Sequence, residues 1–279
     1  MLVNQAHASP LVLDNGGVND FPPITLVGTE QVDILDGPGG ATTTMNLLDG
    51  GSANTVVLFE NSVLNISGGT MQRVEAGDSA FVNMTGGFLG DNIILRDDAQ
   101  AHVSGGSLFD FVPRGNSVAT LSGDALVRRN FSAVEMSRGE ISGGTIGGDV
   151  LSRDDAIVLM SGGRVDDRIA ASLGGDMRVT GGTWGGVLRV FGGSNITLFG
   201  DFNFEHGIYT DDSLLDDALI TGTLADGSLV SNIANISNTG TITLAAIPEP
   251  GCVALIGVGV LSLGMRPSKD DSLYSASMP

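Results

Sequence analysis

The sequence predicts an all-β fold: a parallel β-helix of about 19 residues per coil, followed by a short C-terminal transmembrane helix. Three observations predict the solenoid. The first is a recurring phrase, present as Leu64-Asn65-Ile66-Ser67-Gly68-Gly69, Val82-Asn83-Met84-Thr85-Gly86-Gly87, Val158-Leu159-Met160-Ser161-Gly162-Gly163 and Met177-Arg178-Val179-Thr180-Gly181-Gly182. The first glycines of successive copies are Gly50, Gly68, Gly86, Gly105, Gly123, Gly143, Gly162, Gly181, Gly200 and Gly222, in steps of 18 to 22 residues. The second is a set of apolar columns keyed to those glycines. The third is that no stretch of the repeat carries a helical stripe of apolar residues.

The columns define the coil. Two positions before each marker stand Leu48, Ile66, Met84, Val103, Leu121, Ile141, Met160, Val179, Leu198 and Ile220. Four before the markers from Gly68 onward stand Leu64, Val82, Ala101, Ala119, Gly139, Val158, Met177, Ile196 and Ala218, with Gly139 the one departure, so one side of a strand points inward. Three after the marker come Met71, Leu89, Leu108, Leu126, Ile146, Val165 and Trp184; seven after it come Ile93, Val112, Val150, Ile169 and Leu188. Three inward columns separated by Gly-Gly corners and Asp/Asn-rich turns describe a coil of three short strands. Eight or nine coils at about 4.8 Å each make a rod of roughly 40 Å. The crossover preference favours a right-handed coil. A left-handed prism of hexapeptides is the rival, but no six-residue sub-period is visible. The corner glycines are expected to supply φ > 0 or a bulge, so Gly143→Val should cost on the order of 1–3 kcal/mol.

The elements then follow in order. Residues 1–10 contain Ala6-His7-Ala8 before Ser9, the small-residue shape of a signal-peptidase site, and read as the remnant of a signal peptide whose charged and apolar parts lie upstream of the given start. The β-helix is placed at 11–245. Leu11-Val12-Leu13, Ile24-Thr25-Leu26-Val27 and Val32-Asp33-Ile34-Leu35 read as strands of a first, irregular coil. Leu35-Asp36-Gly37 and Leu48-Asp49-Gly50 read as degenerate copies of the repeat. From about residue 46 to 230 the register is regular, and 226–245 relaxes into Ser, Asn and Thr as a last irregular coil.

Composition limits the function. A net charge of -19 with a single lysine, Lys269, argues against nucleic acid and anionic lipid as partners. The mean hydropathy of +0.22 excludes a generally disordered chain. One cysteine, Cys252, allows no intrachain disulfide, and stacked coils do not need one.

Candidate chemistry in the repeats is sparse. Acidic pairs recur at turns: Asp97-Asp98, Asp154-Asp155, Asp166-Asp167, Asp211-Asp212 and Asp216-Asp217. Stacked, they would offer oxygen ligands suited to Ca²⁺. The plainer reading, turn residues on a solvated acidic surface, is preferred, and no cofactor is expected. Arg96, Arg114, Arg128, Arg153 and Arg189 are spaced by coil near acidic turns, as an outward ladder relieving like-charge stacking or as basic groups of a carbohydrate-active lyase. His7, His102 and His206 are far apart, and no nucleophile triad or metal motif appears, so the chain reads as non-catalytic. The alternative is a polysaccharide lyase or hydrolase on the same scaffold. Trp184 falls in an inward column and reads as core. Five glycosylation sequons, at Asn65, Asn83, Asn130, Asn195 and Asn235, carry little weight, since three of them arise from the repeat phrase itself.

The C-terminus carries the sharpest motif. Ile247-Pro248-Glu249-Pro250 is followed by an apolar run from Gly251 to Met265, then Arg266 and Lys269. Residues 246–269 resemble a PEP-CTERM protein-sorting signal, in which a Pro-Glu-Pro motif precedes a small-residue-rich transmembrane stretch and a basic flank. The basic flank is reduced here to Arg266 and Lys269, and a tail follows at 270–279. The resemblance implies export from a Gram-negative bacterium and transient anchoring in the inner membrane. It further implies recognition of Pro248, Glu249 and Pro250 by an exosortase, and a place on the cell surface or in an exopolysaccharide matrix.

Overall fold

The computed structural model describes residues 10–21 and 31–247 of the 279. The chain divides into two compact units, Met1–Ala246 and Ile247–Pro279. The expected strand at 24–27 and the expected transmembrane helix lie outside the described residues.

The first unit is an all-β solenoid of about nine turns with a repeat of about 19 residues. Each turn has three faces, and each face is a stack of parallel strands joined one coil to the next. The first face runs through Thr44–Leu47, Val63–Ile66, the start of Phe81–Leu89, the start of Gln100–Leu108, Val118–Leu121, Arg138–Ile141 and onward to Asn195–Phe202. Alternate residues of these strands, such as Leu64 and Ile66 or Val158 and Met160, are fully buried. Period-two alternation in sequence thus becomes one inward face per strand.

The second face is two residues wide. It stacks Met71 on Leu89, Leu108 on Val127, Val127 on Ile146, Ile146 on Val165 and Val165 on Trp184. The third runs from Leu11–Leu13 through Gln31–Ile34, Ile93–Leu95, Phe111–Pro113, Phe131–Ala133 and Val150–Arg153 to Leu188–Phe191. Between the third face and the next first-face strand, the chain turns over a buried column of small residues that includes Thr43, Ser62, Ala80, Ala99, Ser117 and Ser137. Ser62 donates its hydroxyl to the Phe59 carbonyl at 2.7 Å and Ser137 to that of Pro113 at 3.1 Å, which satisfies polar groups inside the bend.

Several expected positions shift by one residue. Leu47, not Leu48, pairs with Ile66 and is buried, because the first corner holds an extra residue before Gly50. Val127, not Leu126, faces inward in the coil whose corner is Gly123-Asp124 rather than a glycine pair. Phe111, not Val112, points inward opposite Ile93, since this coil is one residue shorter between the second and third faces. A one-residue slip reverses the side-chain direction, and stacking in register on the neighbouring coil decides which residue turns inward.

Corner chemistry also differs from expectation. From Gly68-Gly69 onward, left-handed backbone belongs to the second glycine of the corner pair: Gly144 has φ 79°, whereas Gly143 is not among the positive-φ residues; at the first corner it is Gly50, with φ 77°. A Cβ on Gly143 would lie 2.9 Å from the backbone N of Gly123, so the first glycine is required by the approach of the neighbouring coil.

Gly139, the departure in the inward column, has a packing cause. Its missing side chain leaves room for Phe131, whose Cε1 lies 2.5 Å from where a Cβ would stand. Phe131 in turn packs edge-on against Phe111 with ring centroids 5.3 Å apart.

The repeat ends at Leu198, earlier than the spacing predicts. Gly200 and Gly222 are not successive corners. Strand Asn195–Phe202 continues into antiparallel pairing with Leu219–Leu224, which brings Phe202 opposite Gly222 and Gly200 opposite Leu224. Leu219–Leu224 pairs antiparallel with Leu229–Ser237, whose second half returns to the third face against Leu188–Phe191. Thr241–Ala245 completes the first face on Asn195–Phe202, and Gly207–Tyr209 runs antiparallel beside it. The excursion occupies strand edges that a further coil would otherwise cover.

Candidate functional site

Pro248, Glu249, Pro250, Arg266 and Lys269 lie outside the described residues, as do Cys252 and the apolar run. No helix among the described residues is long and apolar enough to cross a membrane.

The acidic turns resolve into a structural device. Glu60, Asp78, Asp97, Glu135, Asp154 and Asp155 all adopt positive φ, a conformation that aspartate tolerates better than most side chains. Four of these carboxylates, those of Glu60, Asp78, Asp97 and Glu135, reach the adjacent coil. Glu60 accepts from the backbone N–H of Asp36 at 2.9 Å, Asp78 from that of Glu60 at 3.0 Å, and Glu135 from that of Gly115 at 2.7 Å. At the opposite corner Asp110 accepts from the N–H of Asn130 at 3.0 Å, and Asn130 from that of Asp149 at 2.9 Å. Asp216 caps Ile236 N at 2.8 Å, and Asp217 accepts from the Asn235 amide at 3.0 Å. Among the described residues, no three His, Cys, Asp or Glu side chains come together in a way that would hold a metal ion.

Four of the sequon asparagines, Asn65, Asn130, Asn195 and Asn235, also bond to residues 18 or 19 positions away in the chain. Asn65 donates to Asn46 at 2.8 Å and Asn46 to Asp20 at 2.7 Å, a ladder along the outer side of the first face. Trp184 is 7% exposed and belongs to the core. His102 faces outward in the middle of the first face, while His206 sits in the C-terminal excursion with Nε2 3.1 Å from the Gly200 carbonyl and its ring edge-on to Phe202. The structure does not bring these two histidines together.

The arginines divide into two groups. Of the five spaced by coil, Arg96 alone makes an ion pair, with Glu75 at 3.4 Å, so a charge-relieving ladder does not account for the set. Arg128 lies over the Phe88 ring at 4.9 Å and Arg189 over Phe191 at 5.3 Å.

A shallow recess of about 310 Å³ is lined by Asp36, Gly37, Gly40, Glu60 and Asn61. Its polar groups mostly bond one another: Asn61 donates to Asp36 Oδ2 at 2.8 Å, and Glu60 takes the Asp36 N–H.

One polar anchor went unread in the sequence. Asp226 accepts from Gly182 N at 2.9 Å and from Ser228 N and Oγ at 2.8 Å each, joining the C-terminal hairpin to the last regular corner. Partial burial pushes its pKa up, but the N–H groups of Ser228 and Gly182 outweigh burial and hold it below the ordinary carboxylate value. The Asp226-Gly227 pair between two alternating runs was the available signal. No protein-family model matches the chain, and no curated protein or solved structure gives a significant match to it.

Proposed function

We propose that the protein is an exported, non-catalytic β-helix of the cell surface or extracellular matrix, associated with exopolysaccharide and delivered by an exosortase acting at Pro248-Glu249-Pro250. The observation that carries this reading is the order of features from Ile247 to Lys269: a proline-flanked glutamate, about 15 apolar residues, then Arg266 and Lys269. In this reading the solenoid is right-handed, following the general crossover preference, and the apolar run anchors the chain transiently in the inner membrane. The regular coils support a non-catalytic role: from Thr44 to Leu198 no long loop rises between strands to wall a groove.

The experiment is the mass of the mature C-terminus from native cells. Loss of everything beyond the Pro248-Glu249-Pro250 region is expected. A C-terminus intact at Pro279 removes the exosortase reading, and release of oligosaccharides from an acidic polysaccharide replaces the non-catalytic reading with a carbohydrate-active enzyme.

A further inference from the structure

Eleven arginines lie among the described residues, and seven of them pair with a carboxylate at 2.6 to 3.5 Å. The four that do not are Arg114, Arg128, Arg153 and Arg189. Arg128 sits at a corner, over Phe88. The other three all lie on the third face and are all exposed.

Their spacing is regular. Successive strands of this face are Phe111–Pro113, Phe131–Ala133, Val150–Arg153, Ile169–Ser172 and Leu188–Phe191. Arg114 directly follows the first, Arg153 ends the third and Arg189 lies in the fifth. A guanidinium without a carboxylate partner therefore recurs on every second strand: Arg153 follows Arg114 in one column about 10 Å away, while Arg189 stands two residues earlier in its strand, in the column of Leu151, and packs over Phe191. The positions beside them form an uncharged column, half-buried at Ile94, Val112, Ser132 and Leu151 and buried at Ala170. Ile94 is in register with Val112, Ser132 with Leu151, and Leu151 with Ala170, and the column ends at Arg189.

A half-buried column of Val112, Ser132 and Leu151 with a cation on every second strand fits a polymer with matching features. Extended pyranose rings present apolar C–H faces, and two sugars advance by about two strand spacings. We propose that the third face is a binding lane for an extended acidic glycan carrying one anionic group per disaccharide. The anions meet Arg114, Arg153 and Arg189, while the sugar faces lie over Val112 and Leu151. This inference rests on the exopolysaccharide reading above and adds to it the face, the register and the charge class. Nucleic acid fits worse. It carries a phosphate at every nucleotide, so a chain of net charge -19 repels it more strongly than a glycan with one anion per disaccharide, and the lane's centre offers no aromatic ring for base stacking.

The test is calorimetric titration of the full-length protein with hyaluronan, which bears a carboxylate on alternate sugars, beside neutral dextran and double-stranded DNA. Expected is hyaluronan binding that weakens with salt. Arg114→Gln, Arg153→Gln and Arg189→Gln should each weaken it about three-fold, and the triple variant roughly thirty-fold. Leu151→Asp should weaken it as well, while Arg138→Gln on the first face leaves it unchanged. Circular dichroism checks that each variant is folded. The lane is overturned if hyaluronan does not bind, if DNA binds equally well, or if the triple variant binds as the unaltered protein does. It is also overturned if the triple substitution abolishes self-association instead, which would make the face a contact between copies of the chain. Failure here is separable from failure of the sorting reading. A trimmed C-terminus without hyaluronan binding removes the lane alone, and binding by a chain ending at Pro279 keeps the lane and removes exosortase.

Discussion

The Asp226 carboxylate accepts a hydrogen bond from the backbone N–H of Gly182 at 2.9 Å, across 44 residues of chain. The bond closes the antiparallel C-terminal hairpin onto the last regular coil, and the Asp226 N–H returns a bond to the Thr180 carbonyl at 3.0 Å.

Replacing Asp226 by Ala leaves the Gly182 and Ser228 amides without this acceptor and should lower stability by about 1–3 kcal/mol, read from the urea midpoint. The effect is pH-dependent. The folded-state pKa lies below the ordinary value of 3.8, so the ionised carboxylate stabilises the fold above that value. Its contribution is lost as pH falls through the folded pKa. The gap between unaltered protein and variant should be constant near neutrality and close below about pH 4. A gap that persists unchanged at low pH would assign the effect to packing.

Gly139→Val should cost about 1–3 kcal/mol by forcing a side chain into Phe131. Adding Phe131→Leu should restore part of the loss, because it vacates the space the valine needs. Additive losses in a double-mutant cycle would show that the two positions are independent.

Gly144 should be the less tolerant of the two corner positions. Its φ is 79°, and a Cβ there would lie 2.7 Å from the Ala125 carbonyl oxygen, so Gly144→Ala carries both backbone strain and a clash and should cost about 1–3 kcal/mol. At Gly143 the obstacle is the approach of the Gly123 backbone, without a positive φ, so Gly143→Ala should melt above Gly144→Ala.

Millimolar Ca²⁺ should leave the melting temperature where a chelator leaves it, because Asp216 and Asp217 already accept from amide groups and no three acidic side chains converge among the described residues. A Ca²⁺-dependent rise would restore the carboxylate ladder as an ion site.

The sequence by itself determined the three-column coil, its period and the inward identity of Ile66, Met84, Val158, Trp184 and their equivalents, because these follow from period-two alternation repeated along the chain. Where the spacing between columns changed by a single residue, at Leu47, Val127 and Phe111, local pattern offered two equal registers. The choice fell to burial against the neighbouring coil. Gly139 is explained only by Phe131, which fills its place from the preceding face across the interior, a contact that strand alternation does not specify. The apparent last copies of the repeat, at Gly200 and Gly222, match the spacing and yet pair antiparallel. A terminal coil has no next coil to stack on, and only the tertiary structure decides how its open strand edges are satisfied. The free arginines show the same division: the sequence places them at coil intervals, but which carboxylates reach them, and so which cations remain unpaired, is settled only when the faces form.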